Sequence, residues 1–433
     1  MRFLNSKLVR SISFIILFVG FYSCIKDPTV KIVEIKGPAG VCYGELDVEY
    51  SVEANSDADY TLWTVPEQAQ ITSGQGTSKI KVNFGRKAGK IGVTYYKDGE
   101  AISNQFFMEV KFGALNQWCG ELNFGGGIRT AGVGFCIGNK GYVGTGVGYF
   151  SGVVVYYEDF WEFDPELSTW TQKADLGGNA ANMNLGLQRI NAVGFSIGNK
   201  GYIGTGHKSA GFTPDQFLKD FWEYTPVSNS WLRKADCSDT TRHYAVGFSI
   251  GNKGYVGTGQ PASSGLQADF WEYDPSTDVW TRKADIVPRH SGVGFSNENK
   301  GYFGTGLGIN GVKHNDFYEF DPSDASLGLD ENGNPLGKWT IKGNIPILPR
   351  YGSVGFSIGK KGYIGTGFDG LIYFNDFYEY DPFLDQWDTL PELDGGKREF
   401  AVGFSIENKG FVGTGDWYNN ALLTYQDFWV FTK

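Results

Sequence analysis

The stretch Ala192-Val193-Gly194-Phe195-Ser196-Ile197-Gly198-Asn199-Lys200-Gly201-Tyr202-Ile203-Gly204-Thr205-Gly206 decides the fold. Its first six residues alternate as a half-buried strand does, and Gly198 to Gly201 reads as a tight turn. The rest is a returning strand whose glycines let neighbouring backbones approach closely. That returning strand, Gly-Tyr-x-Gly-Thr-Gly or its Phe variant, begins at Gly141, Gly201, Gly254, Gly301, Gly362 and Gly410, at intervals of 60, 53, 47, 61 and 48 residues. A period near 50 fits four-stranded repeat units better than helical repeats, which mostly run shorter. A third strand follows in each unit, Asp-Phe-Trp-Glu-Tyr-Asp-Pro or a relative, from Asp159, Asp220, Asp269, Asp316, Asp376 and Asp427. In all but the last a Pro ends it, because Pro cannot donate to a ladder. A Trp marks the fourth strand at Trp170, Trp231, Trp280, Trp339 and Trp387, and the sixth unit has none. Trp118, just ahead of the first unit, is therefore expected to complete the last sheet and remove its open edge.

These segments together resemble kelch-repeat, galactose oxidase-like propellers over residues 113–433. The resemblance implies an all-β fold, a six-bladed kelch-type β-propeller closed by a strand within 115–122, preceded by a small β-sandwich. Residues 25–112 supply that sandwich, with strand-like runs at Leu46–Tyr50, Lys79–Val82 and Ile91–Thr94 between Gly and Asn turns. Tyr60-Thr61-Leu62-Trp63-Thr64-Val65-Pro66, followed by Ile71–Thr77, resembles the PKD-like, immunoglobulin-type domains of secreted bacterial proteins, which implies a spacer.

Residues 1–24 have the layout of an export signal: Arg2, Lys7 and Arg10, an apolar run from Ile12 to Tyr22, then Ser23 and Cys24. The run is too short to span a bilayer, which needs roughly 20 apolar residues. Ser23-Cys24 resembles a bacterial lipoprotein signal, so Cys24 is expected to carry the lipid, with cleavage without lipid as the alternative. The expected address is the outer membrane and the cell surface, with a periplasmic or secreted protein as the other reading. Cys42, Cys119, Cys136 and Cys237 form no C-x-x-C pair, and spacing alone sets no disulfide among them.

A formal charge of -10 argues against nucleic acid as a partner, since phosphate binding needs a basic face. Every unit nevertheless carries an Arg six residues before the Phe of its first strand: Arg129, Arg189, Arg242, Arg289, Arg350 and Arg398. Two readings compete. The guanidiniums ring the channel mouth and bind carboxylate or phosphate groups, or each pairs with the Asp that opens the third strand and so serves the repeat. The loops between second and third strands open on the same face, and from them Tyr157, His207, His314, Tyr373, Trp417 and Tyr418 are expected to meet a ligand, along with Tyr149, Phe150, Tyr156, Phe212, Phe374 and Tyr425. About half of these aromatics are expected to pack as minor core instead.

The expected role is a binding module for a glycan or protein ligand, with the membrane reached only through the lipid. The alternative is a sugar-acid epimerase or mutarotase, an activity that the kelch resemblance allows and that a cationic mouth would serve. No catalytic residue, cofactor or metal site is assigned. His243 and His290 share a repeat position, but two histidines fall short of the three or four converging ligands of a metal centre. Asp330-Glu331-Asn332-Gly333-Asn334 is read as a surface loop.

Overall fold

The structure, a computed structural model, describes residues 34–433 apart from 43–44, 86–88, 113–115, 121–122, 151, 179–186, 209–215 and 419–421. The export segment, Cys24 and Phe212 thus lie outside the described residues.

Val-Gly-Phe-Ser-Ile opens the second sheet at Val193–Ile197 and alternates buried with half-buried residues. It pairs antiparallel with Lys200–Gly204, which pairs with Phe221–Thr225 and then Ser230–Lys234. The same four-strand order recurs in sheets whose first strands are Val133–Ile137, Val246–Ile250, Val293–Asn297, Val354–Ile358 and Val402–Ile406. Consecutive first strands touch, and the sixth touches the first, so the six sheets close into a ring.

Small residues make that contact between sheets tight. A side chain on Gly201 would lie 2.5 Å from the Phe135 ring of the preceding sheet, far inside van der Waals contact, so the ring occupies the groove that glycine leaves. At the outer edge each of the five repeat Trp rings packs on a Phe of the preceding sheet, and three of them also bond across. Trp231, Trp280 and Trp339 donate to the carbonyls of Ala174, Ala235 and Ala284 at 2.9–3.2 Å.

The sixth sheet takes its outer strand from ahead of the ring. Trp118–Gly120 pairs antiparallel with Phe428–Thr432, in register Phe431↔Trp118. Trp118 is buried, donates to the Pro391 carbonyl at 3.1 Å, and packs on Phe377 and Phe431. It makes the same kind of indole bond as Trp231, Trp280 and Trp339, and its ring packs on the preceding sheet as those of all five counterparts do. A disulfide joins the neighbouring Cys119 to Cys42 across 77 residues.

Ahead of the ring, Gly40–Val41, Phe106–Phe112, Gly89–Lys97 and Tyr60–Thr64 form one sheet, with Glu100–Ala101 at its margin; Val48–Ser51, Lys79–Asn83 and Gln70–Ser73 form a second. Tyr50, Trp63, Val82, Ile91 and Val93 are buried in one cluster. Along Lys79–Asn83 exposed and buried residues alternate, which puts Ile80 and Val82 inward. Asp330 in the long turn of the fourth sheet takes the buried ammonium of Lys283 at 2.9 Å. The turn is thus held by an ion pair within the protein. Among the described residues no helix is long and apolar enough to cross a membrane.

Replacing Trp118 by Ala removes the indole bond and its ring contacts, and is expected to cost about 3–5 kcal/mol. Chemical denaturation of the full chain checks this, with Trp231→Ala as the matched change inside the ring; equal stability of wild type and Trp118→Ala would exclude the closing role.

Candidate functional site

Each repeat arginine sits two residues ahead of a sharp bend leading into its first strand, and all six are 0–1 % exposed. Each forks onto the Asp at the start of the third strand, both nitrogens bonding both carboxylate oxygens at 2.5–3.0 Å. The same guanidiniums also donate to the carbonyls of Thr145, Thr205, Thr258, Thr305, Thr366 and Thr414. Trp161, Trp222, Trp271 and Trp429 add an indole donor to four of these carboxylates. Burial alone would raise Asp220, Asp269 and Asp316, yet the bonded arginines hold all three below the usual carboxylate range. The expected ring of ligand-binding arginines is therefore corrected. Arg129, Arg189, Arg242, Arg289, Arg350 and Arg398 are buried, and the terminal nitrogens of each are engaged by its own repeat.

Several loop aromatics cover these pairs. Tyr157 lies 4.2 Å from the Arg129 guanidinium and Tyr425 4.2 Å from that of Arg398, while Phe374 lies 3.6 Å from that of Arg350. His314 stands 3.8 Å from the Asp316 carboxylate, and burial followed by the Arg289 charge lowers its pKa. Tyr157 and His314 thus serve the repeat. His207 packs on Phe217 and His243. Tyr373 stacks on Phe368 at 4.2 Å, Trp417 is half-buried, and Tyr418 and Phe150 are 59 % and 69 % exposed. Tyr149 and Tyr156 are half-buried.

The mouth itself is built from backbone. Ala131, Asn191, Tyr244, Ser291, Gly352 and Phe400 each stand two residues after the arginine, with φ between 50° and 65°. Each N–H donates to the carbonyl of its counterpart one sheet back, at 2.9–3.2 Å, and the bond from Ala131 to Phe400 closes the cycle. A second cycle runs beside it. The last Gly of each Gly-Thr-Gly donates to the arginine carbonyl one sheet on at 2.8–2.9 Å. At Gly206 φ is +96°, and a side chain would meet the Ile190 carbonyl at 2.8 Å, so only glycine fits. The first belt surrounds an axial cavity of about 110 Å³. The Tyr244 and Phe400 rings meet across it at 5.4 Å.

Around this belt the residue after each arginine faces the residue after each Gly-Thr-Gly: Thr130 and Val147, Ile190 and His207, His243 and Gln260, His290 and Leu307, Tyr351 and Phe368, Glu399 and Asp416. The sixth couple sets two carboxylates directly opposite each other, a like-charge pairing that destabilises a ladder. Glu399 is 7 % and Asp416 9 % exposed. Thr130 Oγ1 donates to Asp416, and Glu399 Oε2 has no hydrogen-bond partner among the described residues. Burial, then the charge of Asp416, pushes Glu399 up to about 8; burial pushes Asp416 up to about 6 despite the Thr130 bond. At neutral pH the couple therefore retains a proton that two exposed carboxylates would have lost, and it can donate as well as accept.

On the opposite arc two imidazoles are held below their usual range. Burial, followed by the charge of His207, brings His243 down to about 4, and burial lowers His290. The Tyr244 ring touches both His243 and His290. Among the described residues no three or more His, Cys, Asp or Glu side chains converge as metal ligands. The mouth residues Glu399, Asp416, Tyr244 and Phe400 were not singled out from the sequence. Their signal is the pair of flanking positions, where the sixth unit alone carries two acids.

Comparisons with known proteins agree with this architecture. The family described as PKD-like domain matches residues 28–100. Among solved structures, that of YjhT is similar with a TM-score of 0.56 and 16% identity, covering 71% of this chain and 95% of that one. At that identity the likeness concerns the fold. No curated protein matches the chain.

Glu399→Gln removes one member of the opposed pair, so the variant is expected to be more stable at pH 8 by about 1–3 kcal/mol. The sign follows from proton counting. With folded pKa values above the unfolded ones, the native pair holds more protons than the unfolded chain, so wild-type stability falls as pH rises from about 4 towards 8. The gain should therefore shrink towards pH 4, and melting curves across this range check it.

Proposed function

We propose that the chain is a lipid-anchored, kelch-type six-bladed propeller that binds a glycan on the loop face around its mouth, with the PKD-like domain as a spacer from the membrane. The observation that carries this reading is the set of rings left standing at the mouth once the arginine caps are accounted for. Tyr149, Phe150, Tyr373, Trp417 and Tyr418 are half-buried or exposed on hairpins seated on a hydrogen-bonded ring. Aromatic faces stack on sugar rings at little conformational cost, and a rigid scaffold keeps them in place. A protein ligand would use the same rings. Sugar-acid turnover is less well supported, because the six guanidiniums it would need are engaged and the mouth carries carboxylates instead.

Binding energy spread over several rings implies that Trp417→Ala, Tyr418→Ala and Tyr373→Ala each weaken glycan binding by about 1–2 kcal/mol. Titration of the purified protein against a glycan panel, run beside an anomer-exchange assay, tests this. Catalysed exchange lost in Glu399→Gln would replace the binding reading with an enzymatic one, for which the proton-holding pair is the natural acid and base.

The address rests on Cys24. In the native host Cys24→Ala is expected to move the protein from the membrane to a soluble fraction, read by fractionation and blotting; unchanged membrane association would rule out the lipid.

A further inference from the structure

We infer that the mouth beside Glu399 is a recognition pocket for a protonated amino group, presented by an amino sugar. The inference rests on the glycan-binding reading and narrows it to glycans with a free amine.

Three independent features converge there. Glu399 is 7 % exposed and its Oε2 has no hydrogen-bond partner among the described residues. A buried carboxylate oxygen in that state calls for a charged donor. Gly352 is the one belt position without a side chain, and it lines the axial cavity. A Cβ there would sit 3.1 Å from Glu399 Oε2, so at this position only glycine backbone separates the cavity from the carboxyl. Aromatic rings complete the surround, Phe400 lying 6.4 Å from Tyr351 and 5.4 Å from Tyr244, and ring faces attract ammonium groups.

The ionisable groups facing the couple are Tyr244, Tyr351 and Tyr373, with Tyr149 and Tyr425 on the Asp416 side. All are neutral phenols at pH 7. The nearest guanidiniums, those of Arg129 and Arg398, are committed to Asp159 and Asp427. An anionic sugar would face the negative charge that the couple keeps at pH 6.5, and a neutral hydroxyl would not compensate it. A hard metal ion would find two carboxylates where calcium takes six to eight oxygens.

The test is calorimetric titration of the mature chain at about pH 6.5, where a primary amine stays charged. The probes are the β-1,4-linked glucosamine tetramer, its fully N-acetylated counterpart and tri-lysine. The glucosamine tetramer is expected to bind roughly tenfold or more tighter than the acetylated one, and Glu399→Gln and Gly352→Ala should each abolish the difference. Both variants are expected to fold, since the first relieves the opposed pair and Ala131 already holds the equivalent left-handed backbone at φ 56°. Equal binding of the two tetramers, unchanged in Glu399→Gln, would overturn the inference and leave the glycan reading standing. Binding of tri-lysine alone, lost in Glu399→Gln, would overturn the glycan reading and with it the amino-sugar assignment. Failure of all three probes to bind overturns the inference.

Discussion

The buried fork between one arginine and one aspartate is the contact on which the ring depends. In each repeat it joins three segments distant in sequence: the approach to the first strand, the Thr carbonyl after the second, and the Asp that opens the third. A desolvated guanidinium needs a paired charge and bonded donors, and here the carboxylate and the carbonyl together engage its two terminal nitrogens. Because the chain is pinned at these points, both backbone cycles can form, and each passes a bond from sheet to sheet round the whole circumference. The loops beyond differ in length and composition from repeat to repeat, although several, through Tyr157, Phe374 and Tyr425, still cover the buried pairs.

The electrostatics of the mouth follow from that arrangement. Six positive charges are sunk beneath the belt and cancelled one for one, so the field at the opening is set by what stands above them. One sector carries two opposed carboxylates and another three imidazoles, two of them held below their usual pKa. A protein acidic overall thus presents an acidic mouth, although its repeat is built around arginine.

Much of this architecture was legible because the residues that specify it recur. Gly201 and Gly206 repeat since no side chain fits there, Asp220 since it must receive Arg189, and Trp231 since its ring packs on the preceding sheet; the absent sixth Trp pointed directly to Trp118. The arginines were legible as a set but not in their role, because equal counts of Arg and Asp suit a ligand ring and a structural fork alike until the distances are known. Glu399 and Asp416 escaped notice for the opposite reason. Each occurs once, they lie 17 positions apart, and only the bridge between the segments after Arg398 and Gly415 brings them face to face. The Cys42–Cys119 bond was equally hidden, since it depends on where two separate β regions meet.

That disulfide changes how the ring would bear a mechanical load. Without it, tension arriving along the chain from residue 112 would reach Trp118 first and peel the closing strand from Phe428–Thr432 one bond at a time. The covalent link delivers the pull to Cys119, the middle residue of the three that pair. The bonds on either side are then stressed together, and the strand must shear as a unit. The seam where the circle is sewn shut is thereby reinforced against being dragged open from the N-terminal side.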